Sequence, residues 1–486
     1  MGGSLRVAVA TADPPAAWQA RCADALAAID GIALSRISPS RPAGPTPAPA
    51  ARVSADVLID LTLGESLGDD GATEVWRFGF GRSLSTDLRR VLLEHAAGGH
   101  GAMRVALVSD GGRSIVHGGW VATPIWGNRG QVARLLDGLA DWPAAAMRSR
   151  LARLAEATAG DRAADTVPDA ATTEHVRAAS GARLPRPVLS VLAASRRVAG
   201  STEELVRADN WRVGLVDLPI EAWLRDVDPG PAHWLPATAG HFSADPFGVE
   251  RDGRLHVFYE DYEHRRGIGS IHHREIRADG RIGDATTVLA PEHHASYPFI
   301  VEVGDAVFML PEIAQSGCLT LYEATDFPFG WRPAAVLLPG VPAVDASMVR
   351  FEDRWWLFAC RLDRGVNQDL HVWHAPDVFG PWVAHERNPV KIDVRSSRPG
   401  GTPFVVDGVL YRPSQDDAGR YGRRLVIQRV TTLTPTAFAE EPARVIDPRP
   451  GYPSGFHTLS AVGRRTLIDA NRRRFVRQHV QRRLRR

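Results

Sequence analysis

Between residues 241 and 470 the chain repeats one pattern of apolar and polar positions five times. Each copy begins with a polar or acidic residue, continues into an apolar strand, turns at Gly or Asp, and ends with a second apolar strand closed by polar groups. The copies are ADPFGVERDGRLHVFYED (244–261), SYPFIVEVGDAVFMLPE (296–312), VDASMVRFEDRWWLFAC (344–360), GGTPFVVDGVLYRPSQD (400–416) and GFHTLSAVGRRTLIDAN (455–471). Paired short strands that recur about every 50 residues are typical of β-propellers, with one copy in each blade. The pattern therefore predicts an all-β five-bladed β-propeller.

The first polar residue of each copy, which we call the lead residue, predicts a shared site. The lead residues are Asp245, Tyr297, Asp345, Thr402 and His457, and they lie 52, 48, 57 and 55 positions apart. In a propeller the innermost strands of all blades surround one central channel. We therefore expect the side chains of Asp245 and Asp345 to face the same pocket.

Residues 1–142 follow a different pattern, in which short apolar runs alternate with helical stretches. LRVAVAT (5–11), GIALSRI (31–37) and DVLIDLTL (56–63) have the composition of strands, and Ala16–Ile29 has that of a helix. This β-α-β order predicts an α/β domain with a small parallel sheet and covering helices.

The remaining boundaries follow from composition. Residues 143–204 are expected to contain a helical segment and a small, polar linker, and residues 205–470 to form the propeller. NWRVGLVD (210–217) is an amphipathic strand just before the first copy. We expect it to complete the last blade from the N-terminal side.

Composition narrows the function and the compartment. The net charge of +2 argues against general nucleic-acid binding, and no specific nucleic-acid partner is expected. Cys22, Cys318 and Cys360 are scattered, so neither a disulfide framework nor a zinc site is expected, which fits a reducing compartment. The sequence has neither a secretory-signal pattern nor an apolar run of about 20 residues, so the expected location is cytoplasmic. We expect no metal and no cofactor.

Residues 471–486 are predicted to be a basic amphipathic tail. The segment NRRRFVRQHVQRRLRR contains eight arginines, and Phe475, Val476, Val480 and Leu484 recur at helical spacing. Two interpretations remain open. The tail is either solvated or packed on the propeller rim, or it contacts anionic lipid at the inner face of a membrane.

Acidic residues near the strand ends are the first candidates for chemistry. Two or three carboxyl groups in one channel can act as acid and base about the anomeric carbon of a sugar. The catalytic candidates are Asp245, Glu312 and Asp345, and Glu260 and Asp261 are candidates for binding the substrate. The alternative is that these groups hydrogen-bond to neighbouring blades and hold the ring together.

A second cluster, in and around the fourth copy, is basic and polar. Arginine binds carboxylate and phosphate through two parallel hydrogen bonds, so the expected ligand is a sugar with an anionic group, such as a uronic acid, a phosphosugar or a nucleotide sugar. The alternative for Arg398 is an ion pair with the carboxylates of the first cluster. The binding candidates outside the first copy are Tyr297, Arg398, Arg412, Gln415, Asp416, Tyr421 and His457.

The order ADPF, FYEDY, SYPF, PE, VDAS, WWLF, NPV, RPGG, YRPSQD and YG resembles a known module over about residues 205–470. It is the propeller at the N-terminus of plant glucosamine inositolphosphorylceramide transferases, which is similar to the five-bladed propellers of family 43 glycoside hydrolases. The resemblance implies an Asp base, an Asp that tunes pKa values, and a Glu acid. Asp245 matches the base, while Asp345 and Glu312 are the nearest candidates for the other two. Both depart from the hydrolase pattern, because blade two begins with Tyr297 and Glu312 lies on a different strand.

Residues 4–142 are similar to the N-terminal fold of formyltransferases. DVLIDLTLG and EVWRFGFGRS stand where the chemistry of that fold would lie, but the Asn, His and Asp constellation for formyl transfer is not evident. The resemblance implies a degenerate domain that binds or docks and does not catalyse.

Three functions remain open at this point. The first is a carbohydrate-active protein that processes or transfers a glycosyl unit in cytoplasmic glycan or glycolipid biosynthesis. The second is a non-catalytic module that binds a glycan or a sugar nucleotide. The third is a scaffold that holds other enzymes at a membrane through the basic tail. The geometry of the pocket carboxyl groups separates the first from the second.

Overall fold

The computed structural model describes residues 4–37, 55–63, 72–109, 114–122, 129–158, 185, 187, 189–192, 194, 195 and 207–484. The chain divides into two compact units, Met1–Arg197 and Val198–Arg486. Most of the linker expected within residues 143–204 lies outside the described residues, so its conformation stays a prediction.

The N-terminal unit contains a six-stranded sheet in the spatial order β2-β1-β3-β4-β5-β6. Its strands are β1 (Leu5–Ala10), β2 (Ile32–Ile37), β3 (Val57–Asp60), β4 (Glu74–Phe80), β5 (Ala102–Ser109) and β6 (Ser114–Ala122). Its helices are α1 (Ala17–Ala27), α2 (Leu88–Gly98), α3 (Arg129–Leu139) and α4 (Trp142–Thr158). The first four strands pair in parallel, and the last two join in antiparallel fashion. The predicted α/β unit is confirmed, but its sheet is mixed and not wholly parallel, because the last two strands run antiparallel to their neighbours.

The central strands β1 and β3 are largely apolar because both of their faces are covered. Every residue of β3 is buried, as are the last four residues of β1. A strand buried on both faces has no polar side to present, which explains the continuous apolar runs in the sequence.

The second unit begins with three strands that precede the first sequence repeat. They are β7 (Arg207–Ala208), β8 (Trp211–Val216) and β9 (His233–Trp234), and a short 3-10 turn (Ile220–Leu224) lies between the last two.

Four antiparallel blades follow, one for each of the first four copies. Blade one contains β10 (His241–Arg251), β11 (Arg254–Glu263), β12 (Ile268–Ile276) and β13 (Thr286–Leu289). Blade two contains β14 (Ser296–Val303), β15 (Ala306–Glu312), β16 (Leu319–Asp326) and β17 (Gly330–Leu338). Blade three contains β18 (Ala343–Phe351), β19 (Arg354–Arg361), β20 (Asp369–Ala375), β21 (Val383–Ala384) and β22 (Lys391–Ile392). Blade four contains β23 (Phe404–Val406), β24 (Val409–Asp416), β25 (Arg424–Leu433) and β26 (Phe438–Ile446).

The fifth blade joins the two ends of the propeller unit. It consists of β27 (Leu459–Val462) and β28 (Arg465–Asn471), followed in space by β8 and β9. β28 pairs antiparallel with β8, with Thr466 opposite Val216. The five-bladed propeller is confirmed, and so is the prediction that residues 210–217 complete the last blade.

The last described segment continues this closure. β29 (Arg474–Phe475) pairs with β7, and the helix α5 (Arg477–Leu484) follows it. None of the helices in the described part of the chain has the length and apolar character needed to cross a lipid bilayer.

A bulge sets the position of the lead residue in each of the first three blades. The register of the two innermost strands shifts at that residue in each case. Asp245, Tyr297 and Asp345 adopt left-handed backbone conformations, with φ of 50°, 45° and 50°. Such conformations are uncommon outside glycine, and a bulge redirects a side chain out of the regular alternation of its strand. The repeated sequence therefore encodes a repeated local distortion at the start of each of these three blades.

Candidate functional site

A pocket of about 490 Å³ lies in the propeller unit. Five residues expected from the sequence line it together: Asp245, Glu260, Glu312, Arg398 and Tyr421. The structure thus brings carboxyl groups from blades one and two beside a guanidinium from the segment that precedes blade four.

Glu260 and Glu312 occupy matching positions in blades one and two. Glu260 lies opposite Ala244, and Glu312 lies opposite Ser296. Each glutamate is therefore on the second strand of its blade, directly across from the residue that precedes the lead residue of that blade. Burial raises the pKa of both carboxyl groups well above the ordinary value, and neighbouring carboxylates raise it further. Both groups therefore favour the protonated, uncharged form.

The two carboxyl groups differ in their contacts. Oε2 of Glu312 accepts a hydrogen bond of 3.1 Å from the backbone N–H of Asp345, and it lies 4.0 Å from Nη2 of Arg398. Glu260 has a looser contact, with Oε1 at 3.5 Å from Nε2 of His294. A side chain at Gly269 would have its Cβ 2.5 Å from that oxygen, so the glycine leaves the room that Glu260 occupies.

Asp245 belongs to a network that connects blade five to blade one. Thr458 Oγ1 donates to its Oδ1 at 3.0 Å, and Nε2 of His457 lies 3.7 Å from the same oxygen. Burial raises the pKa of Asp245 to about 7, while the charge of His457 lowers it. A group with a pKa near neutrality is suited to accept and release a proton near neutral pH.

Asp469 holds His457 from the opposite side. Its Oδ2 lies 2.7 Å from Nδ1 of His457, and its Oδ1 accepts the backbone N–H groups of His457 and Thr458 at 3.1 and 3.0 Å. Burial alone would lower the pKa of His457, but the carboxylates of Asp469 and Asp245 raise it to about 9. The imidazole also stacks on Trp211, with the ring centroids 3.8 Å apart. His457 is therefore a fixed cationic neighbour of Asp245, and it does not itself line the pocket.

Among the residues that the structure describes, Asp245, His457 and Asp469 form a group that could hold a metal ion, because their ligand atoms lie within 4.8 Å of one another. An imidazole that binds a metal must be neutral, whereas the raised pKa of His457 favours its protonated form. The arrangement fits a hydrogen-bonded Asp–His–Asp network better than a metal site.

Arg398 is held at the pocket by Asp345. Its Nε donates to Oδ2 of Asp345 at 2.6 Å, and its Nη1 donates to Oδ1 of Asn367 at 2.7 Å. Gln415 donates to the same oxygen of Asp345 at 2.5 Å, and the guanidinium carbon lies 4.9 Å from the ring centroid of Tyr421. Asp345 and Gln415 were expected to face the ligand. The structure places them behind Arg398, where they fix its orientation.

Tyr297 was expected to bind substrate, but it lies between blades and away from the pocket. Its hydroxyl accepts the backbone N–H of Gly401 at 2.6 Å and hydrogen-bonds with Ser347 Oγ at 2.8 Å. The side chain is fully buried. It therefore holds neighbouring blades together.

Asp261 and Asp416 also lie outside the pocket. Successive side chains of a strand point to opposite faces, so Asp261 faces away when Glu260 faces the channel. Oδ1 of Asp261 lies 2.5 Å from Nδ1 of His241, and Oδ2 of Asp416 accepts Nε of Arg424 at 2.7 Å. Both carboxyl groups are committed to these partners.

Arg412, which was expected to face an anionic ligand, is instead fully buried in blade four. Its guanidinium donates to both carboxylate oxygens of Glu440, at 2.6 and 3.1 Å, and to the backbone oxygen of Ser396 at 2.7 Å. A guanidinium cannot remain unpaired when it is removed from water, so its burial requires this partner.

Other pocket residues were not singled out from the sequence. They are mostly aromatic or cationic, and they come from the start and the end of the propeller unit and from blades one and two: Arg207, Ala208, Asp209, Trp211, Phe242, Tyr262, His264, His294, Ser296, Arg473, His479 and Arg482. The alternation of side chains along a strand could have identified two of these residues, because Tyr262 and His264 follow Glu260 at a spacing of two.

Residues 235–447 match the family model described as "Glucosamine inositolphosphorylceramide transferase 1, N-terminal". The glucosamine inositolphosphorylceramide transferase 1 of Oryza sativa subsp. japonica is 33% identical over 211 residues, which are 42% of this chain and 28% of that protein. The Arabidopsis thaliana protein of the same name is 30% identical over 206 residues, which are 41% of this chain and 27% of that protein. The predicted resemblance of the propeller is confirmed, and the chain spans less than a third of the length of these relatives. The family match does not reach the N-terminal unit, whose resemblance to formyltransferases stays a prediction.

Two solved structures are less similar to this chain than these relatives are. A family 117 glycoside hydrolase produced by Zobellia galactanivorans is 13% identical with a TM-score of 0.35, covering 51% of this chain and 78% of its own. The α-L-arabinanase of Cellvibrio cellulosa in complex with arabinohexaose is 17% identical with a TM-score of 0.31, covering 40% of this chain and 76% of its own. At these TM-scores neither likeness bears on function.

Proposed function

We propose that the propeller is a carbohydrate-active unit whose channel pocket binds a glycosyl group and catalyses its transfer. The observation that carries this proposal is the set of three carboxyl groups, Asp245, Glu260 and Glu312, in one solvent-reached pocket. Two of them favour the neutral form, and the third has a pKa of about 7 because of its burial. Glycosyl transfer needs this division between an acid and a base.

In the proposed reaction, Glu312 donates its proton to the bridging oxygen as the bond between that oxygen and the anomeric carbon breaks. Asp245, in its ionised form, takes a proton from the incoming hydroxyl as that hydroxyl attacks the anomeric carbon. Attack by water gives hydrolysis, and attack by a hydroxyl of a second sugar or lipid gives transfer. Glu260 is the second candidate acid, because its carboxyl group shares the pocket and is also uncharged.

The surrounding charges support these assignments. The His457 imidazolium, fixed by Asp469, favours the ionised form of Asp245. Arg398 presents a guanidinium to the pocket, where it can bind a hydroxyl or an anionic group of the ligand. Asp345 is a positioning residue that acts through Arg398.

The relatives support sugar chemistry in general terms. Their names describe glucosamine inositolphosphorylceramide transferases, and the matching model is the N-terminal part of that family. We extend this to the proposal that the chain acts in glycan or glycolipid biosynthesis in the cytoplasm, on a sugar ligand.

A specific contact favours a second function, a non-catalytic sugar-binding module. Oε2 of Glu312 caps the backbone N–H of Asp345, which is a structural use of that carboxyl group. In this alternative the carboxyl groups recognise sugar hydroxyls and transfer no proton to the glycosidic bond.

The decisive experiment compares the turnover and binding of aryl glycosides and nucleotide sugars by the wild-type protein and by Asp245→Asn. We expect turnover to fall by at least about 10²-fold while binding survives, because the base is lost and the shape is kept. Asp416→Asn is the matched control, since it makes the same change at a buried carboxylate outside the pocket. Binding without turnover in the wild-type protein would replace catalysis by recognition.

A further inference from the structure

One end of the pocket is lined by basic side chains that the proposed chemistry does not use. We call this group the basic mouth, and it consists of Arg207, His264, Arg473, His479 and Arg482. Arg207 begins β7, and two of the others belong to α5. The chain thus places segments from both ends of the propeller unit at one opening.

His264 is the observation that points to a ligand. Its side chain is 2% exposed and lines the pocket, and neither ring nitrogen has a hydrogen-bond partner among the described residues. Burial, together with the nearby His479 and Arg482, lowers the pKa of His264 to about 4. The ring is therefore neutral and carries one N–H donor. Buried donors are nearly always paired in native proteins, so an acceptor is expected to enter this end of the pocket.

Arg482 supplies a cation beside that donor. Its Nε is buried and also has no hydrogen-bond partner in the described part of the chain. The guanidinium lies directly over Gly267, where any Cβ would overlap it. Gly267 has a φ of 73°, a left-handed conformation that glycine adopts without strain. The turn between β11 and β12 therefore requires glycine at the position that Arg482 of α5 contacts.

The basic mouth carries more positive than negative charge. The group contains three arginines, Arg207, Arg473 and Arg482, and Asp209 is an acidic pocket residue that contacts it. That carboxylate accepts a hydrogen bond of 2.7 Å from Asn471 and lies 3.6 Å from Nε of Arg473, so it offsets only part of the positive charge. Guanidinium groups bind phosphate oxygens with matching geometry, and a phosphate can offset more than one positive charge.

An aromatic surface separates the basic mouth from the carboxyl groups. Glu260, Tyr262 and His264 follow each other at a spacing of two on one face of blade one, which sets their backbones about 13 Å apart from first to last. Tyr262 stacks on Phe242 with ring centroids 4.6 Å apart, and both rings line the pocket. Two stacked aromatic rings therefore line the pocket beside the stretch of strand that connects Glu260 to His264.

We propose that the basic mouth binds the phosphate group of a phosphorylated sugar, whose ring lies along Tyr262 and Phe242 toward the carboxyl groups. The proposal rests on the proposed function for the sugar end of the ligand and adds its chemical class. It assigns α5 to the wall of the pocket, in place of the membrane surface considered for the basic tail.

The test is equilibrium binding of the whole protein to a hexose, to the same hexose as its 1-phosphate and 6-phosphate, and to inorganic phosphate. We expect one phosphorylated form to bind at least about tenfold more tightly than the hexose, with an affinity that falls as salt rises. Arg482→Gln should abolish this preference. The matched control is Arg477→Gln, which removes the same charge from an exposed position of α5 that does not line the pocket.

Three outcomes overturn the proposal. They are equal affinity for the hexose and both phosphates, a phosphate preference that survives Arg482→Gln, and a preference that Arg477→Gln reduces as strongly. Sedimentation with vesicles containing phosphatidylserine separates the membrane alternative. Vesicle binding weakened equally by both variants, without any preference for a sugar phosphate, would assign α5 to lipid.

Two further measurements keep the test decisive. If Arg482→Gln does not fold, competition in the wild-type protein decides the matter, because inorganic phosphate must displace the hexose phosphate from a true phosphate subsite. Neutral aryl glycosides contain no phosphate, so their turnover by the wild-type protein and by Asp245→Asn judges the proposed function separately. Phosphate binding without any sugar turnover would leave the basic mouth standing and remove the catalytic proposal.

Discussion

Blade four and the pocket both bury carboxyl groups, but the charges around those groups differ. Two cations lie beside the buried carboxylate of blade four, whereas other carboxyl groups lie near those of the pocket. In blade four, Glu440 receives hydrogen bonds from Arg412 and from Nζ of Lys391, the latter at 2.8 Å, and Lys391 is the only lysine in the sequence. Burial would raise the pKa of Glu440, yet these two cations hold it below the ordinary value. In the pocket, burial and neighbouring carboxyl groups raise the pKa of Glu260 and Glu312, and for Glu312 the charge of Arg398 offsets only part of that rise.

The difference teaches how to separate structural from functional ionisable groups in one ring. A buried carboxylate with two cationic partners is fixed in one protonation state and serves stability. A buried carboxyl group without such partners destabilises the folded chain when it ionises, and its retention in a pocket indicates use. Burial alone does not distinguish the two cases, since both sets of side chains are almost removed from water.

The largest expected effect comes from disrupting the buried ion pair of blade four. Arg412→Met should destabilise the propeller by about 3–5 kcal/mol, because it leaves the Glu440 carboxylate buried with Lys391 as its remaining cation. The free energy of unfolding in urea measures this. The control is Arg429→Gln, which breaks an exposed pair with Glu441 and should change stability by about 0.5 kcal/mol or less. A loss for Arg412→Met as small as that of the control would contradict the comparison.

Next in size is the effect of neutralising a pocket carboxyl group whose pKa is raised by burial. Glu312→Gln should leave the free energy of unfolding unchanged or raise it at neutral pH, because an amide of the same shape never bears the buried charge. Turnover of a glycoside should fall by at least about 10²-fold if Glu312 is the acid. Glu260→Gln, tested in parallel, identifies which of the two groups donates the proton. A variant that loses stability and keeps turnover would assign its carboxyl group to blade packing.

The smallest expected effect is on the pH dependence of stability. The pKa of Asp245 rises on folding from 3.8 to about 7, so its contribution to stability falls as the pH rises through that interval. The pKa of His457 rises from 6.5 to about 9, so the stability it contributes is complete below 6.5 and is lost as the pH rises toward 9. Glu440, with a lowered pKa, acts in the opposite sense and only as the pH falls below about 4.5.

Thermal unfolding between pH 5 and pH 9 checks this. The melting temperature should be highest near pH 5 and decline by a few degrees toward pH 9. Asp245→Asn should flatten the part of the profile below about pH 7. A melting temperature that rises steadily from pH 5 to pH 9 would show that the pocket groups are not the ones that bind the extra protons.

The fold was largely predictable because every copy of the propeller repeat contains the same pattern of two strands joined by a turn. Each copy combines the period-two alternation of strands with a turn, and NWRVGLVD supplies the missing strand of blade five. The N-terminal strands were predictable for a different reason, their uninterrupted apolar runs. Their resemblance to formyltransferases rests on motifs alone and stays a prediction.

The site was predictable only in part, because its chemistry depends on which side of each strand faces the channel. Asp261 follows Glu260 directly, so alternation allows only one of them to line the pocket. Asp469 was missed because it lies within the apolar strand TLIDAN, where an acidic residue has no local signal for its partner His457. The contact of α5 with His264 depends on ring closure, and no local sequence pattern encodes it.

Closure of the ring by β8 and β28 also sets the order in which the site can assemble during synthesis. Asp245 and Asp469 are 224 positions apart and meet only when the fifth blade is complete. Blade one leaves the ribosome long before the strand and helix that finish the pocket. A nascent chain therefore carries unmatched acidic groups until that strand and helix have been synthesised, and a ligand that binds the finished pocket would favour the closed ring by mass action.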